Sequence, residues 1–301
     1  MRVRSEKAAT ACGLVAILLW STAAGLIRSV SEDFGPEGGA AMLYSVGAAM
    51  LMVFLGRPRL HTISWRYLLS GGILFATYEV CLSLALGYAN SRTQAIELGV
   101  VNYLWPSLTI LLSIFLARQR VGWTIVPGTA LALFGILWVV SGDGLAWSRI
   151  LTNVTSNPLS YSLVLTCAFT FAVYCNITRR YAGGQNLVTF FFVLTALALW
   201  LKYGLGSETL ATFTVRNSLE LAAAGAAMAG GYALWNLGII RGNLTTLACA
   251  SYCAPVLSSG FATLWLGTQL TMQFWQGALL VTIGSLICWQ ATQNRIQLLK
   301  D

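Results

Sequence analysis

Long apolar stretches alternate with short polar joints along the whole chain. Runs of about 20 apolar residues suit a bilayer-spanning helix. Ten such runs are found, near 9–29, 39–56, 67–89, 93–117, 123–141, 159–178, 185–204, 218–240, 244–267 and 272–290. The pattern predicts an all-α membrane protein of ten transmembrane helices, with almost no length left for a soluble domain. The start, MRVRSEKAATACGLVAILLWSTAAG, has the outline of a secretory signal. Its apolar run continues through Gly25, Leu26 and Ile27, so an uncleaved first span is expected.

The pattern also repeats. Setting VVNYLWPSL (100–108) on CASYCAPVL (249–257) aligns Tyr103 with Tyr252, Pro106 with Pro255, Gly128 with Gly277 and Gly135 with Gly284, all at an offset of 149. The chain is therefore read as two five-helix repeats, residues 1–150 and 151–301. Five is odd, so the second repeat enters the membrane from the opposite side, which is the inverted plan of many secondary transporters with sites near the midplane. Pro106 deprives the carbonyl of Asn102 of its intrahelical donor, and Pro255 does the same to Ser251. A freed carbonyl in hydrocarbon needs a neighbouring helix, a side chain or a water-lined cavity. Two kinked helices lining a hydrated cavity at mid-membrane are expected, with Pro106 and Pro255 as kink or gate positions.

Composition sharpens this picture. Charged residues make up 9% of the chain and mean hydropathy is +0.71, against about 25% charged in ordinary soluble domains. With the amino terminus inside, the inner joints hold Arg2, Arg4, Lys7, Arg57, Arg59, Arg66, Arg118, Arg120, Arg179, Arg180, Arg241, Arg295 and Lys300, while the outer ones hold Arg28, Arg92, Arg149, Lys202 and Arg216. Lys and Arg accumulate on the cytoplasmic side, so both termini are expected there. The net charge of +8 is topological on this reading, and no nucleic-acid partner is implied. The seven cysteines are scattered over the spans. Cys249 and Cys253, at helical spacing, lack the companions of a metal or redox site. No metal and no cofactor is expected.

Two acids lie inside spans: Glu79 near the centre of the third, and Glu97 about one turn inside the outer end of the fourth. Intramembrane acids are costly and mark functional sites by default, so both are candidate proton or cation sites. For Glu97, a pairing with Arg92 or an approach to the outer surface is the structural alternative. No Lys or Arg occupies the middle of any span, which disfavours phosphorylated cargo, since that needs such groups for charge neutralisation. Rings near midplane depth are Trp20, Tyr78, Tyr103, Trp105, Phe169, Tyr232 and Tyr252, beside Asn102, Ser251 and Glu79. Such rings suit a planar apolar ligand, and their faces also attract an ammonium group. An enzyme acting on lipids would need a nucleophile with a base, or a metal cluster. His61, the only histidine, lies in a joint without partners at ligand spacing.

Ten helices in two inverted halves, Tyr-x-x-Pro in the fourth and ninth segments, and Gly-rich fifth and tenth segments resemble the drug/metabolite transporter superfamily and its EamA-type domain. LLWSTAAGLIRSV (18–30), ELGVVNYLWPSLT (97–109), ALWNLGI (233–239) and ASYCAPVLSS (250–259) are similar to its aromatic amino-acid exporter branch, the YddG group. The resemblance implies an inner-membrane protein that releases aromatic and other neutral amino acids by alternating access. No obligatory protein partner is expected, and a monomer is expected. The resemblance also implies cavity or gate roles for Trp20, Asn102, Tyr103, Trp105, Pro106, Trp235, Asn236, Tyr252 and Pro255. The superfamily's small multidrug branch relies on an acid in its first helix, and none lies between Ala8 and Ile27. Export of aromatic cations remains the alternative cargo.

Overall fold

The computed structural model describes residues 5–56, 63–117, 122–142, 146–181, 186–209, 212–242, 247 and 250–298. The described residues form helices and short joints. In chain order the helices are α1 (Glu6–Ser21), α2 (Ala23–Phe34), α3 (Pro36–Leu55), α4 (Trp65–Gly87), α5 (Arg92–Asn102), α6 (Trp105–Ala117), α7 (Ile125–Ser141), α8 (Trp147–Ser156), α9 (Pro158–Tyr181), α10 (Val188–Leu205), α11 (Val215–Arg241), α12 (Ala254–Leu266) and α13 (Met272–Leu298). By length and composition, α3, α4, α9, α10 and α13 each suffice to cross a membrane, and α1 with α2 makes a sixth, bent span. The helices α5 and α6 share the fourth segment, α7 and α11 are the fifth and eighth, and α12 completes the ninth.

The first span departs from the expected single helix, bending by 41° between α1 and α2. The cause is local. Ser21 Oγ donates to the Ile17 carbonyl at 2.8 Å and Thr22 Oγ1 to the Leu19 carbonyl at 2.7 Å. The Thr22 amide also closes onto Leu19 at 3.0 Å, so consecutive hydroxyls compete for the carbonyl ladder and tighten the turn. Glycine at 35, with φ +81°, reverses the chain into α3, and Pro36 sits in the first turn, where its missing N–H costs nothing. Side-chain caps start other helices: Ser91 accepts from the Gln94 amide, Asn157 from the Ser160 amide, and Thr214 forms a capping box with Asn217.

Both proline segments are broken rather than merely kinked. The amides of Tyr103 and Leu104 bond three residues back, to Val100 and Val101, and α6 starts at Trp105. At an offset of 149 the Cys253 amide bonds to Ala250 in the same way, and the Leu257 amide to Cys253 repeats Leu108 to Leu104. The packing has the same symmetry. The first span lies along α11 as α9 lies along α4, and α3 packs on α11 as α10 packs on α4. The self-paired contacts are α3 with α10 and α7 with α13. The fold is two inverted five-span repeats.

The α7–α13 seam uses the aligned glycines. A Cβ at Gly135 would lie 2.8 Å from the Gly277 carbonyl, and one at Gly284 would lie 2.5 Å from the Ala132 amide nitrogen. Backbone meets backbone there, so no larger residue fits. One helix was not anticipated: α8 lies between the repeats, with Trp147 and Leu151 exposed, Ile150 buried, and Asn153 Nδ2 donating to the Val140 carbonyl at 2.6 Å. Its alternating polar and apolar positions suit a helix lying at the membrane surface.

Candidate functional site

The interior between the repeats is organised around one acid. Glu79, on α4, is fully enclosed. Its Oε2 accepts from the Tyr44 hydroxyl of α3 and its Oε1 from the Tyr232 hydroxyl of α11, both at 2.5 Å. Ser83, one turn along α4, donates weakly to the Tyr44 oxygen at 3.4 Å. Hydrogen bonds to both carboxylate oxygens meet the requirement that a buried polar group be partnered. They also join three helices and both repeats at one point. In this arrangement both oxygens are occupied by phenols.

From Tyr232 the rings continue without a gap. Tyr232 meets Trp20 of α1 edge-on at 5.0 Å between centroids and Phe75 of α4 at 5.3 Å; Trp20 reaches Trp235 at 5.3 Å. Phe75 leads to Tyr174 of α9 at 5.5 Å, Tyr174 to Phe171 at 5.7 Å, and Phe171 to Tyr78 at 4.1 Å and Trp105 at 4.9 Å. Offset and edge-on contacts of this kind are worth about 0.5–1.5 kcal/mol each beyond the area they bury. Trp20, Tyr103, Trp105, Tyr232 and Trp235 are only half-buried although they lie mid-span. Among the described residues the Trp20 indole N–H has no hydrogen-bond partner.

Neutral polar groups flank the rings. Asn102, the last residue of α5, is buried and accepts the Cys167 thiol of α9 at 3.0 Å. The Tyr103 hydroxyl lies beside Ser258 of α12, so the break in the first repeat faces the helix that follows the break in the second. Ser251 and Tyr252, at that second break, are half-buried. Pro106 is half-buried and Pro255 buried. Among the described residues no group of three His, Cys, Asp or Glu is placed to hold a metal.

Several expected positions fall elsewhere. Phe169 is 54% exposed on the outer face of α9. The inward stripe of that helix runs through Cys167, Ala168, Phe171 and Tyr174, so Phe171 takes the place expected for Phe169. Glu97 neither reaches the surface nor pairs with Arg92: it is buried and accepts the Tyr161 hydroxyl of α9. Arg92 turns instead to Glu32 and the Leu266 carbonyl. His61 and the side chain of Asn236 lie outside the described residues. Tyr44, Phe75, Tyr161, Phe171 and Tyr174, with Phe192, which meets Tyr44 at 5.3 Å and Tyr232 at 5.6 Å between centroids, are absent from the sequence expectations. For Phe171 and Tyr174 the signal lies in helical spacing: Phe171 follows Cys167 and Ala168 by four and three residues, and Tyr174 follows Phe171 by three.

Comparison with known proteins decides the family. The EamA-like transporter family model matches residues 8–141. The aromatic amino acid exporter YddG of Salmonella typhimurium is 49% identical over 292 residues, 97% of this chain and 100% of that protein. The chain belongs to the YddG family of EamA-like transporters. The YddG of Escherichia coli K12 is likewise 49% identical, over 96% of this chain and 99% of that one, and the YddG of Ancylobacter novellus is 30% identical over 85% and 88%. A solved crystal structure superposes with a TM-score of 0.68 at 26% identity, covering 96% of this chain and 99% of its own. Family membership makes this a multi-pass membrane transporter for small molecules, with the half-buried rings at the repeat interface as its candidate site.

Proposed function

We propose that this protein exports aromatic and other neutral amino acids across the bacterial inner membrane by alternating access, with both termini in the cytoplasm. The observation that carries the reading is the ring network from Trp235 to Trp105, which crosses between the repeats beside two helix breaks and includes half-buried members. Rings accept the cargo side chain. Asn102, the tyrosine hydroxyls, Ser251 and the carbonyls released by Pro106 and Pro255 meet its charged ends. The lack of Lys or Arg mid-span among the described residues suits a zwitterion better than a phosphate ester. The names of the 49% identical relatives point to the same cargo. We assign the repeats to residues 1–150 and 151–301, and take the protein to act as a monomer and without catalysis.

Uptake of labelled phenylalanine into proteoliposomes tests this. Transport is expected with the intact protein and is expected to fall sharply in Trp105→Ala. Equal phenylalanine flux in protein-free and protein-containing vesicles would sink the assignment. Export of aromatic cations is the second reading, favoured by the carboxylate among rings. Glu79 is sequestered by two phenols here, so Glu79→Gln is expected to keep phenylalanine transport, whereas a cation pathway built on that charge would lose its cargo. Repeating the assay with and without a pH gradient separates uniport from proton coupling.

A further inference from the structure

A polar tie crosses one end of the bundle, beyond the rings and helix breaks. That end, here called distal, holds the end of α2, the start of α5 and the end of α12; the opposite end holds the start of α1. By packing, α4, α5, α6 and α9 form one group, and α1, α2, α11 and α12 another. Each group is bonded internally at its distal end. Gln94 and Glu97 of α5 bind Asn157 and Tyr161 at the start of α9, and Ser29 of α2 donates to Glu220 of α11 at 2.6 Å.

Between the groups the tie is reciprocal. Arg28, on α2, places Nη1 on the carbonyls of Leu86 (3.2 Å), Gly87 (3.2 Å) and Ala89 (2.7 Å), where α4 ends. Arg92, at the start of α5, places Nη1 on the Leu266 carbonyl at 2.7 Å, where α12 ends. Glu32 lies between them, taking Arg28 Nε at 2.8 Å and Arg92 Nη2 at 2.7 Å. Each arginine thus rises from one group and lands on a helix carboxyl end of the other. Those ends carry partial negative charge and unpaired carbonyls, which a guanidinium fork satisfies. Toward the opposite end α6 leans on α9 and α13, and among the described residues it makes no substantial contact with α1, α11 or α12.

We propose that Arg28, Glu32 and Arg92 form the distal latch of the transport cycle. They hold the two groups together while cargo enters from the opposite end, and they separate when cargo leaves. This inference rests on the alternating-access reading above. The Glu32 and Arg92 side chains are 26% and 50% exposed and that of Arg28 is 12% exposed, so water reaches the Glu32–Arg92 pair first as the groups part, which it cannot do for a fully buried pair.

The test follows the gap between the groups. A Cβ at Gly99 of α5 would lie 3.3 Å from the Ala24 methyl of α2, so Ala24→Cys reports on that contact in a full-length chain whose native cysteines are replaced. Sealed vesicles are treated with a membrane-impermeant maleimide from each face in turn. Glu32→Gln, Arg92→Gln and Arg28→Gln are each expected to raise distal-face labelling at least fivefold, and three independent variants cover the case in which one fails to fold. Arg216→Gln, which removes an ion pair contained within α11, is expected to leave labelling within twofold of the parent. Labelling within twofold of the parent in every folded latch variant overturns the proposal. Phenylalanine flux is measured in the same vesicles. A parent chain that moves no amino acid defeats the transport reading, while the labelling still decides whether the three side chains hold the distal contact.

Discussion

At the scale of single residues, the interior is governed by one rule: a buried polar atom needs a partner. Glu79 obeys it through Tyr44 and Tyr232. Removing one hydroxyl leaves a buried acceptor short of a donor, at about 1–3 kcal/mol. Tyr232→Phe is therefore expected to lower the thermal midpoint of the purified protein. Glu79→Gln is expected to lower it less than Glu79→Ala, because an amide still accepts from one phenol and donates to the other. Melting curves in detergent check the order, and a midpoint for Tyr232→Phe equal to that of the parent contradicts it. Trp105 touches Phe171 alone among the ring contacts described, so its loss should be felt by cargo more than by the fold. Trp105→Ala is expected to reduce the preference for phenylalanine over alanine by up to roughly tenfold, the upper range of one aromatic contact. Competition assays measure that ratio. These residues differed in how visible they were beforehand. An acid and a proline inside an apolar run announce themselves by being out of place, which is why Glu79, Asn102 and Pro106 stood out. Tyr44 is one more aromatic in a hydrophobic helix, and only the approach of α3 to α4 gives it a role. Phe169 was misplaced because depth in the bilayer says nothing about which way a helix face turns.

At the scale of elements, the breaks at 103–104 and 252–253 are the distinctive parts. The three-residue closures around Tyr103 and Leu104 show that the interruption involves the backbone ahead of the proline as well as the proline itself. Replacing Pro106 by Ala supplies the amide that the Asn102 carbonyl lacks and favours a continuous helix from α5 into α6. The expected outcome is a several-fold loss of transport with an unchanged or higher melting midpoint; unchanged flux would mean that the break is only a packing feature. The two broken segments were legible because proline has a definite cost in a helix. The bend at Thr22 was not read, although Ser21 and Thr22 stood side by side, since hydroxyls inside membrane helices usually bond back to carbonyls without bending them this far. The helix α8 was missed for another reason: ten residues with a mixed surface fall below the length at which an apolar run signals a span.

At the scale of the whole molecule, the inverted duplication was recovered from four aligned positions, and its symmetric packing follows from the duplicated sequence. The grouping of α4, α5, α6 and α9 against α1, α2, α11 and α12 was beyond reach, because it depends on which faces meet and on ion pairs joining residues as far apart as 32 and 92. The glycine seam is where the repeat pattern makes its firmest demand. Gly284→Leu is expected to abolish the folded protein, since its Cβ would meet the Ala132 amide nitrogen at 2.5 Å and the Gly128 carbonyl at 2.7 Å. A monodisperse peak for this variant in size-exclusion chromatography would contradict the packing.

That seam has a bearing on how the chain is held in one piece. It joins the last span of one repeat to the last span of the other by bare main chain, so the peptide link between α7 and α8 adds little that the lipid-embedded contact does not already provide. Two fragments divided at that link and made together in one cell should find each other, co-purify and move cargo as a nicked but working carrier.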